Sequence, residues 1–467
     1  MLYYPKLTPI EREKTVLSDF SGINKKNNAP VNSLFDAKNI SSVSFPLLET
    51  RKGKKCVFNI PENEEITGIF CYDRFYITTN FEGRTKLYYG DDFSQVSEKF
   101  LSLEEEGVSS LFIRFNNNLC LFNIKKTSGE TNVVVASPTS LDFPSRYETA
   151  LFNDVTVFGN RVIGCRKKQI RACAELDISK WENQKDEEAD LVNGPFLKNY
   201  EMKSEFTACT TFKNRAIFFN EDEMFEFSGR NNLQFTLTKI ADVGCLNRHS
   251  LCEIDGRLYF LSKGGLMRYT GSFPERVSDK ISLFPKKQNG EYSTALGGVN
   301  GKLYLKVTQD DQTAIYTFDT QSENFSKEDG DEVVCYASTS AKTFFADKKR
   351  VYELDCDSDD TESDAESFEW EMVSQQIHND NYKTKGCVNI ELCMHNSNAS
   401  RVEVFASFDG GEFEMIGSCL FCGTKTVCIP VLHRKMRNLQ IKLRGRGEAR
   451  IHYLCQTLSK KGDSKNQ

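Results

Sequence analysis

The chain has 467 residues, enough for two or three domains and for a core that needs no covalent staples. A formal net charge of −6 argues against wholesale binding along a nucleic-acid backbone, and no apolar run reaches the length of a transmembrane helix, so membrane insertion is not expected. The 35 Phe and 17 Tyr, with few amphipathic helical stretches, suit half-buried pleated surfaces and set the expectation of an all-β protein.

In chain order, residues 1–60 form a lead-in with little periodicity, read as an extended N-terminal arm that covers an open sheet edge or reaches a neighbouring subunit. Its first segment, MLYYPKLTPIEREK, lacks the apolar core of a signal peptide. The 16 cysteines are therefore expected to be reduced thiols in a protein made in the cytoplasm, many of them small core residues.

From 61 to 356 one pattern recurs: an apolar residue, a polar Asn or Asp turn, and a second apolar run. It stands at Tyr72-Asp73-Arg74-Phe75, Phe115-Asn116-Asn117-Asn118, Phe158-Gly159-Asn160-Arg161, Phe212-Lys213-Asn214-Arg215, Ile254-Asp255-Gly256-Arg257 and Val299-Asn300-Gly301-Lys302, with a degraded copy at Ala341-Lys342-Thr343. Asp255-Gly256 supplies the positive φ angles of a type I′ hairpin turn, and Gly264-Gly265 then turns the chain into a third strand that ends at Gly271. The residues after the turns (Arg74, Asn118, Arg161, Arg215, Arg257, Lys302, Lys342) are spaced by roughly 44, 43, 54, 42, 45 and 40 positions, close to the ~40–50-residue period of a four-stranded blade. The pattern predicts a closed β-propeller, with seven blades favoured and six the alternative. The long step reflects an acidic insertion, Ala174 to Phe196, expected on one face of the ring.

Residues 357–367 lie in an acidic stretch read as a solvated linker. A calcium loop is the sharper alternative, with Asp355, Asp357, Asp359 and Glu366 in an EF-hand-like register, although Asp360 stands where that loop needs Gly. Residues 368–458 alternate cleanly in short strands and predict a C-terminal β-sandwich, and 459–467 are read as a disordered tail. Cys419-x-x-Cys422 with Cys387, Cys393, Cys428 and His395 offers soft ligands for zinc, but there is no second CxxC, so core thiols are the competing reading. His249, Ser250 and Asp255 are the residue types of a hydrolytic triad, yet His249 and Ser250 as neighbours on a strand would point to opposite faces. No catalytic residue, metal site or cofactor is assigned.

In the strand around Ile441, Ile441 and Leu443 are expected to face the core while Lys442 and Arg444 point outward. Lys442, Arg444 and Arg446, together with Asp186, Glu187, Glu188 and Asp190 of the insertion, are the candidate contact residues, because the two groups carry opposite charge.

Several segments together resemble bacteriophage virion β-propeller proteins, the tail nozzle and packaged-DNA stabilisation proteins and related structural proteins of gut phages and prophages. They are FSGINKKNNAPVNSLFDAKNISSVSFPLLETRKGKK, FNDVTVFGNRVIGCRKKQIRACAELDISKW, SLCEIDGRLYFLSKGGLMRYTGSFPERVSDKI and IPVLHRKMRNLQIKLRGRGEARIHYLCQTL. The resemblance covers most of the chain and carries no catalytic signature. It implies a non-enzymatic virion component, made in a bacterial cytoplasm. Its partners would be other tail proteins, in a homo-oligomeric ring for DNA passage or for attachment of the adsorption apparatus, with transient contact to passing DNA. A carbohydrate- or receptor-binding protein is the alternative, and exposed tryptophan would favour it; the chain has only Trp181 and Trp370.

Overall fold

A computed structural model describes residues 12–101, 110–125, 131–136, 145–182, 192–309, 312–330, 332–356, 368–379, 384–431 and 434–459. The chain is all-β and divides into two compact units, one of residues 54–315 and 330–356, the other of 1–53, 316–329 and 357–467.

The first unit is a β-propeller. Blade I is built from Glu64–Cys71, Phe75–Phe81, Arg84–Gly90 and Ser97–Phe100, and blade II from Leu111–Phe115, Asn118–Lys125, Thr131–Ala136 and Ser145–Thr149. Blade III comprises Asp154–Phe158, Arg161–Arg166, Gln169–Ala172 and Phe196–Asn199; blade IV comprises Phe206–Phe212, Arg215–Asn220, Met224–Ser228 and Thr236–Ala241. Blade V follows with Leu251–Ile254, Arg257–Ser262, Gly265–Tyr269 and Glu275–Arg276. Blade VI takes Cys335–Ser338, Thr343–Ala346 and Arg350–Cys356, and its fourth strand, Gly53–Asn59, comes from ahead of blade I. A strand from the start of the ring thus completes the last blade by pairing with Arg350–Cys356.

Six blades carry four strands each, not the favoured seven. The repeat at Val299-Asn300-Gly301 does form its hairpin, Ala295–Val299 with Lys302–Gln309, and its first strand stands between those of blades V and VI. Residues 316–329, however, belong to the other compact unit. The sequence period counts inner hairpins, and it is blind to whether two further strands complete each sheet.

The repeated turns follow from local backbone preference. Asn116 and Asn117, Gly159 and Asn160, Lys213 and Asn214, Asp255 and Gly256, and Asn300 and Gly301 all have positive φ, as two-residue I′ turns require. Ile254 pairs with Arg257 across Asp255-Gly256, so that hairpin is present. Apolar residues on both faces of the blades fill wedges between neighbours. Phe206, Phe218 and Phe227 with Ile163 and Ile170 form the wedge of blades III and IV, and Phe122, Phe152 and Trp181 that of blades II and III. Phe70 of blade I stacks on Phe112 of blade II with ring centroids 5.7 Å apart, and Ile66, Ile69 and Phe75 of blade I pack with Cys335 and Phe344 of blade VI.

In the second unit the described strands are linked by hydrogen bonds into one continuous sheet, and the expected C-terminal sandwich is not confirmed. The 24-residue strand Lys385–Phe408 exchanges partners along its length, pairing with Ala449–Ser459 through Gly386–Asn396 and with Asn438–Arg446 through Val402–Phe408. The lead-in is divided: Gly53–Asn59 covers the edge of blade VI, while the strands before it join this sheet. Arg12–Leu17 pairs with Ala449–Ser459, Leu34–Lys38 pairs with Glu369–Ser374, and Phe20 and Ile23 are buried. Residues 357–367, read as linker, lie outside the described residues; of the tail read over 459–467, Ser459 ends the last strand and 460–467 lie outside the described residues.

Candidate functional site

The inner strands of the propeller converge on an axial cavity of about 150 Å³. Gly68–Phe70 from blade I, Ser110–Phe112 from blade II, Asp154 from blade III, Arg248 and His249 ahead of blade V, and Cys335 and Tyr336 of blade VI line it. Each element has a local reason to present these groups. Asn247 donates through its side-chain amide to the carbonyl of Tyr292 at 2.9 Å and accepts from the Ser250 hydroxyl at 2.9 Å, which locks Arg248–Ser250 into a single 3₁₀ turn. That turn directs Arg248 and His249 to the axis. Tyr336 reaches its place because residue 297 is glycine: a Cβ there would lie 2.2 Å from the Cβ of Tyr336.

Asp154, Arg248 and His249 are enclosed by protein yet partly open to solvent, as expected of groups that line a water-accessible cavity. Asp154 is held by two backbone amides, Val155 N at 2.9 Å on one oxygen and Cys209 N at 2.8 Å on the other, so its carboxylate ties blade III to blade IV. Burial pushes its pKa up to about 6, against the opposing pull of these amides and of Arg248. Arg248 donates from Nε to His249 Nε2 at 3.0 Å and from Nη1 to the carbonyl of Ser110 at 3.2 Å. Burial lowers the Arg248 pKa, and the Asp154 carboxylate opposes that shift.

The reactive residue types here are chemically quiet. His249 accepts a hydrogen bond at Nε2, and burial together with the charges of Arg248 and Lys306 holds its pKa well below the usual imidazole range. The Cys335 thiol is pushed up to about 11 by burial, with Arg248 acting in the opposite direction, so it stays protonated at neutral pH. His249 and Ser250 do not sit on a regular strand, as the sequence suggested, but on the 3₁₀ turn. The Ser250 hydroxyl is engaged by Asn247 and by the Thr294 hydroxyl at 2.6 Å.

The sequence-derived contact residues fare differently. Asp186, Glu187, Glu188 and Asp190 lie outside the described residues. Lys442, Arg444 and Arg446 do project outward, with Ile441 and Leu443 buried beneath them. They are not a purely basic surface, however: Lys442 pairs with Glu371 at 2.5 Å, and Arg444 and Arg446 pair with Glu369 at 3.0 and 2.6 Å. Arg434 likewise pairs with Glu414 and Arg450 with Glu49. Asp355 of the suggested calcium register is engaged by Lys302 at 2.8 Å and Tyr304 at 2.9 Å, while Asp357, Asp359 and Glu366 lie outside the described residues. All sixteen cysteines are free thiols, and Cys387, Cys393, Cys419, Cys422, Cys428 and His395 form no metal-ligand cluster among the described residues.

Sequence reasoning passed over Asp154 and Arg248. The available signal was a charged residue at the opening of a strand whose other positions are apolar, as in Asn153-Asp154-Val155 and Arg248-His249-Ser250-Leu251.

No family model matches the chain, and no curated protein matches it. Among solved structures it is similar to PorZ, a bacterial surface component of the type-IX secretion system of Porphyromonas gingivalis, with 11% identity over 70% of this chain and 44% of that one and a TM-score of 0.40. It is also similar to the extracellular domain of the one-component system BT4673 of B. thetaiotaomicron, with 11% identity, 65% and 40% coverage and a TM-score of 0.43. A third likeness is to the AfRom2 CNH domain, with 9% identity, 65% and 99% coverage and a TM-score of 0.41. The chain spans less than half the length of the first two. Likenesses at this level carry no argument about function.

Proposed function

We propose that this protein is a non-enzymatic β-propeller that works by assembly, as a structural component of a bacteriophage tail in which copies form a ring. The phage-tail part rests on the sequence resemblance. The assembly part rests on one observation, the strand Glu414–Pro430. Its 17 residues pair only with Lys385–Phe408 among the described strands, and they leave Met415 and Leu420 exposed at 48% and 71%. A long edge of this kind, with few charges, offers a row of backbone donors and acceptors to another chain, and proteins that work alone usually blunt such edges. The neighbouring copy in the ring is the occupant that this reading assigns to it. The carbohydrate alternative loses its tryptophan platform, because Trp181 and Trp370 are buried at 4% and 1%.

Mass spectrometry and immunolabelling of purified particles test the proposal. The protein is expected in multiple copies per particle, and Leu420→Lys is expected to lower incorporation without lowering the monomer's melting temperature. Absence from particles, or normal incorporation of that variant, would overturn it.

A further inference from the structure

Four strands of the second unit form an antiparallel ribbon in the order Glu414–Pro430, Lys385–Phe408, Ala449–Ser459 and Arg12–Leu17. Among the described strands of this unit longer than three residues, the first and the last of these pair on one side only. The assembly reading uses the Glu414–Pro430 edge and leaves the Arg12–Leu17 edge unassigned. In a run of four antiparallel strands the two outer ones point in opposite directions. A second copy set beside the first in the same orientation therefore brings Arg12–Leu17 of one against Glu414–Pro430 of the other as an antiparallel pair, the slightly stronger kind of ladder. The side chains suit this junction. Val16 is 55% exposed beside buried Leu17, and Leu420 is exposed beside buried Phe421, so both project away from the core. Cys428, Glu391, Cys455 and Val16 form one register row across the ribbon, which puts the exposed side chains of the two edge strands on the same face. Of the three charges on Arg12–Leu17, Glu13 pairs with Lys385 at 2.6 Å and Lys14 with Glu391 at 3.0 Å, so two are neutralised within the copy and leave the edge weakly guarded.

We infer, on the basis of the assembly reading, that the partner of the Glu414–Pro430 edge is the Arg12–Leu17 strand of the next copy, so that the ribbon continues from copy to copy. Closure favours this pairing over two Glu414–Pro430 edges meeting each other. A twofold contact of that kind consumes the edge in a dimer and stops growth, whereas a ring needs two different surfaces that fit one another. Six paired residues span about 20 Å and form a short ladder, to which Val16 and Leu420 add apolar contact. Each junction is therefore modest by itself, and a closed ring gains from every copy holding two.

The experiment is a complementation test on the full chain, read by sedimentation velocity and native mass spectrometry from micromolar to near-millimolar concentration. The parent is expected to form species larger than a dimer. Val16→Lys spoils one edge and Leu420→Lys the other, and both replace exposed side chains, so each variant is expected to keep the parent's melting temperature and to remain monomeric alone. An equimolar mixture has one intact edge of each kind, and it is expected to give one-to-one heterodimers and nothing larger. A parent that stays monomeric or stops at a dimer would overturn the inference, as would a Val16→Lys variant that assembles like the parent or a mixture that fails to pair. Particles separate this outcome from the tail reading. Uptake of Val16→Lys at the parent's level with loss of Leu420→Lys sinks the Arg12–Leu17 contact alone, whereas absence of the protein from particles, with the mixture still pairing, sinks the tail reading alone.

Discussion

Asp154 shows how one side chain can serve the ring and tax it at the same time. Its carboxyl faces the Arg248 guanidinium, the amides of Val155 and Cys209, and the thiols of Cys209 and Cys245. A folded pKa of about 6 against an ordinary 3.8 means that the folded chain holds the proton more tightly than the unfolded one. Stability from this group is therefore fully present below its unfolded pKa and is lost as pH rises through the folded value. Relative to Asp154→Asn, the parent protein is expected to lose stability as pH is raised from about 4 to about 7, the window set by those two pKa values. Urea-unfolding midpoints of the two proteins measured across that range would show it, and parallel pH profiles would refute it.

Blade I contains a buried ionic network that its alternating pattern conceals. Glu64 is 1% exposed and accepts from Lys86 at 3.1 Å, Thr79 at 2.7 Å and the Tyr88 hydroxyl at 2.9 Å. Lys86 also pairs with Glu98 at 2.7 Å. Removing one partner leaves a buried charge without compensation, so Lys86→Met is expected to cost about 3–5 kcal/mol, whereas Glu64→Leu with Lys86→Met should recover most of the loss. Denaturant titration of the three variants decides the matter; a double variant as unstable as the single one would contradict the argument. The first hairpin of this blade was legible because the polar turn Tyr72-Asp73-Arg74 stands between two apolar runs. The network itself was not, because Glu64, Lys86 and Glu98 lie on three different strands.

At the scale of the whole chain, residues that sequence order places far apart share one sheet. Leu34 pairs with Ser374, Leu17 with Leu454, and Lys327 reaches Asp36 at 2.8 Å. Arg51 packs 4.3 Å over the ring of Phe368. The strands from 368 to 459 thus depend on the lead-in for three of their pairings, the third being Leu48–Thr50 with Ala449–Ser459. A fragment of residues 368–459 expressed alone is expected to lack a cooperative unfolding transition and to show poorly dispersed amide resonances. A well-dispersed spectrum from that fragment would show that the lead-in strands are dispensable.

The sequence by itself determined what neighbouring residues can settle. It located the hairpin turns at Asn116-Asn117, Asp255-Gly256 and Asn300-Gly301, the all-β class, and the inward face of Ile441 and Leu443 beneath Lys442 and Arg444. These follow from φ preferences and the two-residue pleat, which act over a few bonds. Tertiary structure alone decided which strands complete a blade, so Gly53–Asn59 closes blade VI. It also decided that Glu369 and Glu371 neutralise the basic strand, and that Asp154, Arg248 and Ser110, from three separate repeats, meet at the axis. Those outcomes depend on backbone pairing and charge contacts between residues tens to hundreds of positions apart, and no local pattern encodes the choice of partner.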